Sequence, residues 1–327
     1  MIHREAWYRE ALTEVEVRRL KRDLDDGRIT PEEYSRQVSR SGQPTLFDFG
    51  EGPVPAHRHV NPDESVGGWV AETASVAKTA PVGKDALVYD DARVEDEAKI
   101  GDQARVYGSA EVFGSAQVFG SARIFDIAQV FGEAHVSGDA QVMGEAQVYG
   151  NARIFGEARV YGRARVYGEA RVYGSAQVYS NAWVSGDARV YGEARVYVWA
   201  QVYGEARVYG SAQVYNYARV FGSAQVSGDS VVFGYAYVYG DAKVSGDAYV
   251  HGAAWVYGSA TVYGNAQVYG NARIYGSARV YDGAWVLENA WVYGEARVYG
   301  SAQVYGNAWV SGSARVDYKV SSGEVTE

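Results

Sequence analysis

The 327-residue chain contains no cysteine, two methionines and six prolines. Without cysteine there is no disulfide, no thiolate metal ligand and no thiol nucleophile. Histidine is scarce as well, five in all, so general-base and metal chemistry have few carriers. No uninterrupted apolar run reaches the length that spans a bilayer. The opening stretch MIHREAWYREALTEVEVRRLKRDLDDG is charged throughout, where a secretory leader would be apolar. A cytoplasmic setting without a membrane is the expectation. The formal net charge is −9, and no block is basic enough to point to nucleic acid by direct charge. What the chain has in excess is glycine, 39 residues, and tyrosine, 28 residues. Such a bias points to a repeat.

The stretch GEARVYGRARVYGEARVYGSAQVY, residues 156–179, is four near-copies of one six-residue phrase. Alanine sets the frame: Ala74, Ala80 and Ala86 lead in steps of six to Ala302, Ala308 and Ala314, with Ser230 the lone exception. No residue is inserted or deleted along that run. Two positions after each alanine stands an aliphatic residue, as at Val160, Val166, Val172 and Ile274. Strand alternation sends the alanine and the aliphatic residue to one side, and the residue between them and the following tyrosine to the other. The glycine that comes next supplies a corner, where positive φ costs it little.

A small inward residue, an aliphatic inward residue and a corner every six positions resemble the hexapeptide repeat of left-handed parallel β-helices. The resemblance covers about three-quarters of the chain, and its period of six sets it apart from pentapeptide repeats and from the longer units of propellers. It implies an all-β solenoid, a left-handed parallel β-helix in which three hexads make one coil of eighteen residues. Residues 68–316 would then give about fourteen three-strand coils and a rod on the order of 65 Å long.

The flanks differ from the repeat. Residues 1–40 read as a small helical hairpin module, because Trp7, Leu12, Val15, Leu20 and Leu24 recur at helical spacing. Gly27 stops the first helix, and Thr30, Pro31 and Glu33 restart it with the residue types of a capping box. The stretch LKRDLDDGRITPEEYSRQ resembles the short bacterial helical module called SHOCT, which implies an oligomerising or partner-docking element. Residues 41–67 read as a linker or end cap from their proline, glycine and serine content, and residues 317–327 as a C-terminal tail. Within the linker, Gln43, Leu46, Phe47 and Phe49 resemble the peptide with which bacterial proteins dock on the replication sliding clamp. The competing reading is a lid that folds these apolar residues over the first coil, and it is favoured because an open solenoid end has strand edges to cover. His57 and His59 lack the partners of a metal site and read as loop residues; no metal or cofactor is expected.

Stacking by eighteen gives the outer surface. One column runs through Lys99, Arg153, Arg171, Arg189, Arg207 and Arg315, with Glu133, Glu169, Asp187 and Glu205 falling in the column two residues earlier. Acid beside base predicts a neutralised surface ladder more than a polyanion site. The tyrosines form a column on each face, and ring-on-ring ladders are expected to support the sheets. Trp183, Trp255, Trp291 and Trp309 share one face and are a candidate aromatic patch. Val198 and Trp199 replace a glycine corner, which should change shape there or lean on the indole.

Many hexapeptide-repeat proteins are trimeric acyltransferases with a histidine base and an acyl-CoA groove between subunits, usually with a loop that interrupts the coils. This chain has no such insertion, and only His135 and His251 lie on the repeat. His251 is the weak catalytic candidate. The repeat also resembles the polymer-forming bacterial cytoskeletal proteins, which implies a non-enzymatic structural or scaffolding rod that self-associates end to end or as a trimer. That reading is preferred. An acyl-CoA-dependent acyltransferase is one alternative, and a polymer-binding or DNA-associated rod tethered by the clamp-like peptide is the other.

Overall fold

The computed structural model describes residues 14–30, 33–34 and 45–327. Glu14–Asp25 form a helix, α1. It ends at Gly27, which takes φ 68°. There the N–H of Gly27 reaches the Leu24 carbonyl at 3.0 Å and that of Arg28 the Asp23 carbonyl at 2.7 Å, so the last helical acceptors are satisfied. Thr30 and Glu33 bond reciprocally, Thr30 N–H to Glu33 Oε2 at 2.9 Å and Glu33 N–H to Thr30 Oγ1 at 3.1 Å. Trp7, Leu12 and Gln43 lie outside the described residues.

Three strands follow: β1 (Thr45–Asp48), β2 (Pro53–Val60) and β3 (Val66–Ala71). They form an antiparallel meander, and β3 then pairs in parallel with Leu87–Val88 of the repeat. The described part of the segment expected as a linker or cap therefore continues a sheet of the solenoid. Its strand signal is hidden by Pro53, Pro55, Gly50 and Gly52. Pro53 opens β2, where a missing N–H interrupts no ladder. Gly50 and Gly52 take φ 123° and 110° in the connecting turn and donate to Asp48 Oδ1 at 2.8 and 3.0 Å.

From there the chain is an all-β solenoid of about 14 turns. Its strands make three sheets, of 17, 13 and 15 strands among the described residues, the largest including β1, β2 and β3. Each repeat strand is two residues long, one outward and one inward. Its partner lies eighteen positions on, as in Arg171 opposite Arg189 and Val172 opposite Val190. The backbone follows the same step: Arg171 N–H donates to the Ala188 carbonyl at 2.9 Å and Tyr173 N–H to that of Val190 at 3.0 Å. Each interior strand thus finds its donors and acceptors on the coils before and after it, which lets two-residue strands persist.

The core is the double column the alternation predicts. The frame alanines and the aliphatic residues two positions after them, from Ala80 to Val316, are fully or almost fully buried. Ser230 takes one alanine place, and its hydroxyl donates to the Ser227 carbonyl at 2.7 Å, so the buried oxygen costs little. The corner shows why glycine dominates there. Gly174 has φ 69°, and a Cβ on it would lie 3.0 Å from the Gly192 nitrogen.

After Asp317 the frame shortens. Lys319–Val320 pairs with Gln303–Val304, and Glu324–Val325 with Trp309–Val310. The segment expected as a tail therefore adds two more strands. Its valines keep the inward column although the corners between them have lost residues, and a reading by strict sixes passes over them.

Candidate functional site

His251 sits in an aromatic ladder between Phe233 and Tyr269, at ring centroids of 4.6 and 4.9 Å. It occupies a tyrosine position, and burial lowers its pKa. Among the described residues no carboxylate or carbonyl hydrogen-bonds its ring, so nothing orients it as a base. His135 is on another face with Nδ1 2.9 Å from the Glu133 carbonyl oxygen. The two histidines do not form one site.

The ladders are continuous over long stretches. Tyr161, Tyr179 and Tyr197 stack at 4.7 and 4.8 Å within 3° of parallel. Hydroxyls reach the next coil, as Tyr197 does in donating to Gln213 Oε1 at 3.1 Å. Burial first, then the charges that Tyr179 and Tyr215 would carry, push the Tyr197 phenol up to about 12. These rings stay neutral and behave as wettable apolar surface.

The basic column is not paired as the sequence suggested. Among the described residues, the solenoid's ion pairs are Arg163–Glu145 at 2.8 Å and Arg93–Glu111 at 3.8 Å, both eighteen residues apart. The carboxylates of the neighbouring column bond along the rod instead, as Glu169 does in accepting from Asn151 Nδ2 at 2.6 Å. The axial neighbour stands one strand spacing away and faces the same direction, whereas the residue two positions earlier lies round the corner.

At the first coils, Phe47 stacks on Trp69 at 4.5 Å and Phe49 on Tyr89 at 4.8 Å, while Leu46 is 59% exposed. Phe49 thereby extends the Tyr89–Tyr107–Phe125 ladder. Arg58 lies over Trp69 at 4.6 Å and donates to the carbonyls of Gly67 and Lys84. Buried His59 has Nε2 2.9 Å from the Ala80 carbonyl oxygen, and His57 Nδ1 is 2.8 Å from Glu72 Oε1. Among the described residues no group of three or more His, Cys, Asp or Glu could hold a metal ion, and no helix is long and apolar enough to cross a membrane.

Trp183, Trp255, Trp291 and Trp309 all lie in the 15-stranded sheet, here the tryptophan face. Arg273 is sandwiched between Trp255 and Trp291 at 5.1 and 5.0 Å. Arg165 lies over Trp183 and Arg219 over Tyr237, at 5.6 and 5.5 Å. Trp291 and Trp309 stack at 5.6 Å. The sequence reading missed the corner that borders this face. Trp199, Tyr217 and Tyr235 stack along it and are 46%, 48% and 61% exposed. Extending the step of eighteen from Trp199 would have found them. The corner itself keeps its shape: Val198 takes φ 62°, and Ala200 N–H still reaches the Tyr197 carbonyl at 3.3 Å.

Seven segments of the chain, 146–162, 158–174, 164–180, 200–216, 266–282, 272–288 and 302–318, match the family model described as the YdcK beta solenoid repeat. Geometry and match agree on the architecture. The chain is a repeat-built β-helix protein. No curated protein matches it. The cap and the stretch around His251 fall outside the matched segments.

Proposed function

We propose that the chain is a non-enzymatic scaffolding rod. The observation that carries this reading is how the outward side chains are used. The tyrosine columns are spent on stacking with the next coil, and the one candidate base, His251, is itself a rung of such a ladder. A rod built this way offers repeated, rigid surface rather than a substrate pocket. The six-residue repeat resembles that of the polymer-forming cytoskeletal proteins, a resemblance that implies left-handed winding, and the helical segment before the cap would tether a partner.

Electron microscopy of the full-length protein should show stiff particles with a long axis on the order of 65 Å. Calorimetry with acetyl-CoA should give no saturable heat. Saturable binding that is lost in His251→Ala would overturn the proposal in favour of an acyltransferase-like enzyme.

A further inference from the structure

We infer that the tryptophan face is where two copies of this chain pair side by side, with their rods antiparallel. The inference deepens the scaffold reading and rests on it for a rigid face that holds no substrate.

Composition sets this face apart. Three outward columns make it up: the strand positions, the tyrosine positions that follow them, and the corner column of Trp199, Tyr217 and Tyr235. Between residues 163 and 311 none of the three contains Asp or Glu, in a chain of net charge −9. The corner columns leading into the other two faces carry Glu157, Glu193 and Asp229, and Glu169, Asp187 and Glu205. Depletion of carboxylates with enrichment in Trp, Tyr and Arg is the makeup of the core of a protein interface. Both copies also share one strand spacing of ~4.8 Å, so contacts made in one coil recur in the next without losing step.

The distribution of bulk and charge selects the orientation. Along the corner the large residues Trp199, Tyr217 and Tyr235 are followed by Ala253, Asn271 and Asn289. Pairing in parallel and in register would set bulk on bulk. Turning one copy end for end about the Tyr235–Tyr237 coil sets Tyr217 opposite Ala253 and Trp199 opposite Asn271. Along the strand column the same rotation sets Arg219 opposite Trp255, Arg165 opposite Trp309 and Arg273 opposite Gln201. No arginine then meets an arginine, whereas parallel register would stack Arg219 on Arg219. The antiparallel arrangement is therefore isologous, sets Trp199 and Tyr217 over smaller residues with Tyr235 meeting its own copy at the axis, and keeps every arginine from facing another.

The face is eight coil steps long, ~38 Å, and four extended residues wide, ~13 Å. That gives a flat footprint of roughly 500 Å² per copy, below the roughly 800 Å² of a standard interface. A reversible, concentration-dependent dimer follows, one that dilution should dissociate.

Sedimentation equilibrium of the full-length protein should show monomer and dimer exchanging over the micromolar range. Tyr237→Glu should weaken the dimer by about tenfold or more. Glutamate is compatible with the fold there, because Glu111 occupies the same column in a regular coil. Tyr249→Glu, on the sheet that includes β3, should leave association unchanged. The absence of native cysteine allows a direct check of orientation. A mixture of Gln201→Cys and Arg273→Cys chains should form a disulfide on mild oxidation, and Gln201→Cys alone should not. A wild-type protein that stays monomeric at high micromolar concentration yet melts as a cooperative rod would sink the pairing and leave the scaffold reading standing. Self-linking of Gln201→Cys, equal effects of the two glutamate variants, or binding of an acidic glycan by a strictly monomeric rod would also overturn it.

Discussion

Asp126 stands in a glycine corner at φ 59°, and its Oδ2 accepts the N–H of Gly144, one coil further on, at 2.9 Å. Asp96 does the same for Gly114 and Asp102 for Gly120. A short carboxylate tolerates the left-handed conformation and returns a partner to a corner N–H, so aspartate can replace glycine there, and Glu288, at φ 60°, does the same for Gly306 at 2.8 Å. Asp126→Gly should lose only that bond, about 1 kcal/mol. Asp126→Ala loses the bond and keeps an unfavourable φ, for a total of about 2 to 3 kcal/mol. Denaturant melts of the two variants provide the check. Equal losses would mean that backbone conformation is not what selects residues at the corner.

Val198 is the opposite case. It holds φ 62° with a β-branched side chain and gains no hydrogen bond for it. Val198→Gly should stabilise the rod by about 1 kcal/mol, because relief of strain exceeds the entropy that glycine adds to the unfolded chain. A loss of stability in the same melts would show that the valine methyls are needed by the Trp199 corner.

The inward columns were legible because burial is written into a strict period. An alanine and a valine every six residues leave a single alternation, and the structure follows it through Val316. What the sequence concealed lay where the period breaks. Pro53 and Pro55 hid β2, and the short connections 49–52 and 61–65 that join it to β1 and β3 carry the glycine, proline and serine that read as linker. After Asp317 the corners shorten, so Val320 and Val325 fall out of step in sequence while staying in line in space. Surface pairing was misread for a related reason. Sequence proximity placed Glu169 beside Arg171, but on a solenoid the nearest neighbour is as often the residue eighteen away. The same rule applied to Trp199 would have exposed the corner aromatics at once.

His59 ties cap stability to pH. Burial holds its imidazole below the usual value, the Ala80 carbonyl partly opposes this, and His57 nearby adds to the lowering. The unfolded chain takes up the proton near pH ~6.5 while the folded cap resists it. The stabilisation is therefore full above that pH and is lost as pH falls from there through the lower folded value. Hydrogen exchange of the β2 and β3 amides, corrected for intrinsic rates, should show protection decreasing between about pH 7.5 and 5.5. His59→Gln should flatten that dependence. An unchanged slope in the variant would show that His59 is not the source of the sensitivity.

The peptide at residues 43–49 allows a final contrast, because two of its apolar residues are used differently. Phe47 packs on Trp69 and Phe49, whereas Leu46 points outward. A lid depends on the first and is indifferent to the second. Phe47→Ala should cost the cap about 3 kcal/mol, through lost burial and ring stacking. Leu46→Ala should stay within about 0.5 kcal/mol. A clamp-docking peptide needs both residues, and β1 would have to leave β2 along its whole register, from Thr45 opposite Ala56 to Asp48 opposite Pro53. A synthetic peptide spanning residues 41–51 is therefore expected not to bind the sliding clamp of the source organism, and the two variants are expected to differ in cap melting. Tight binding of that peptide, abolished equally by either substitution while cap melting stays the same, would identify the segment as an address and reject the lid.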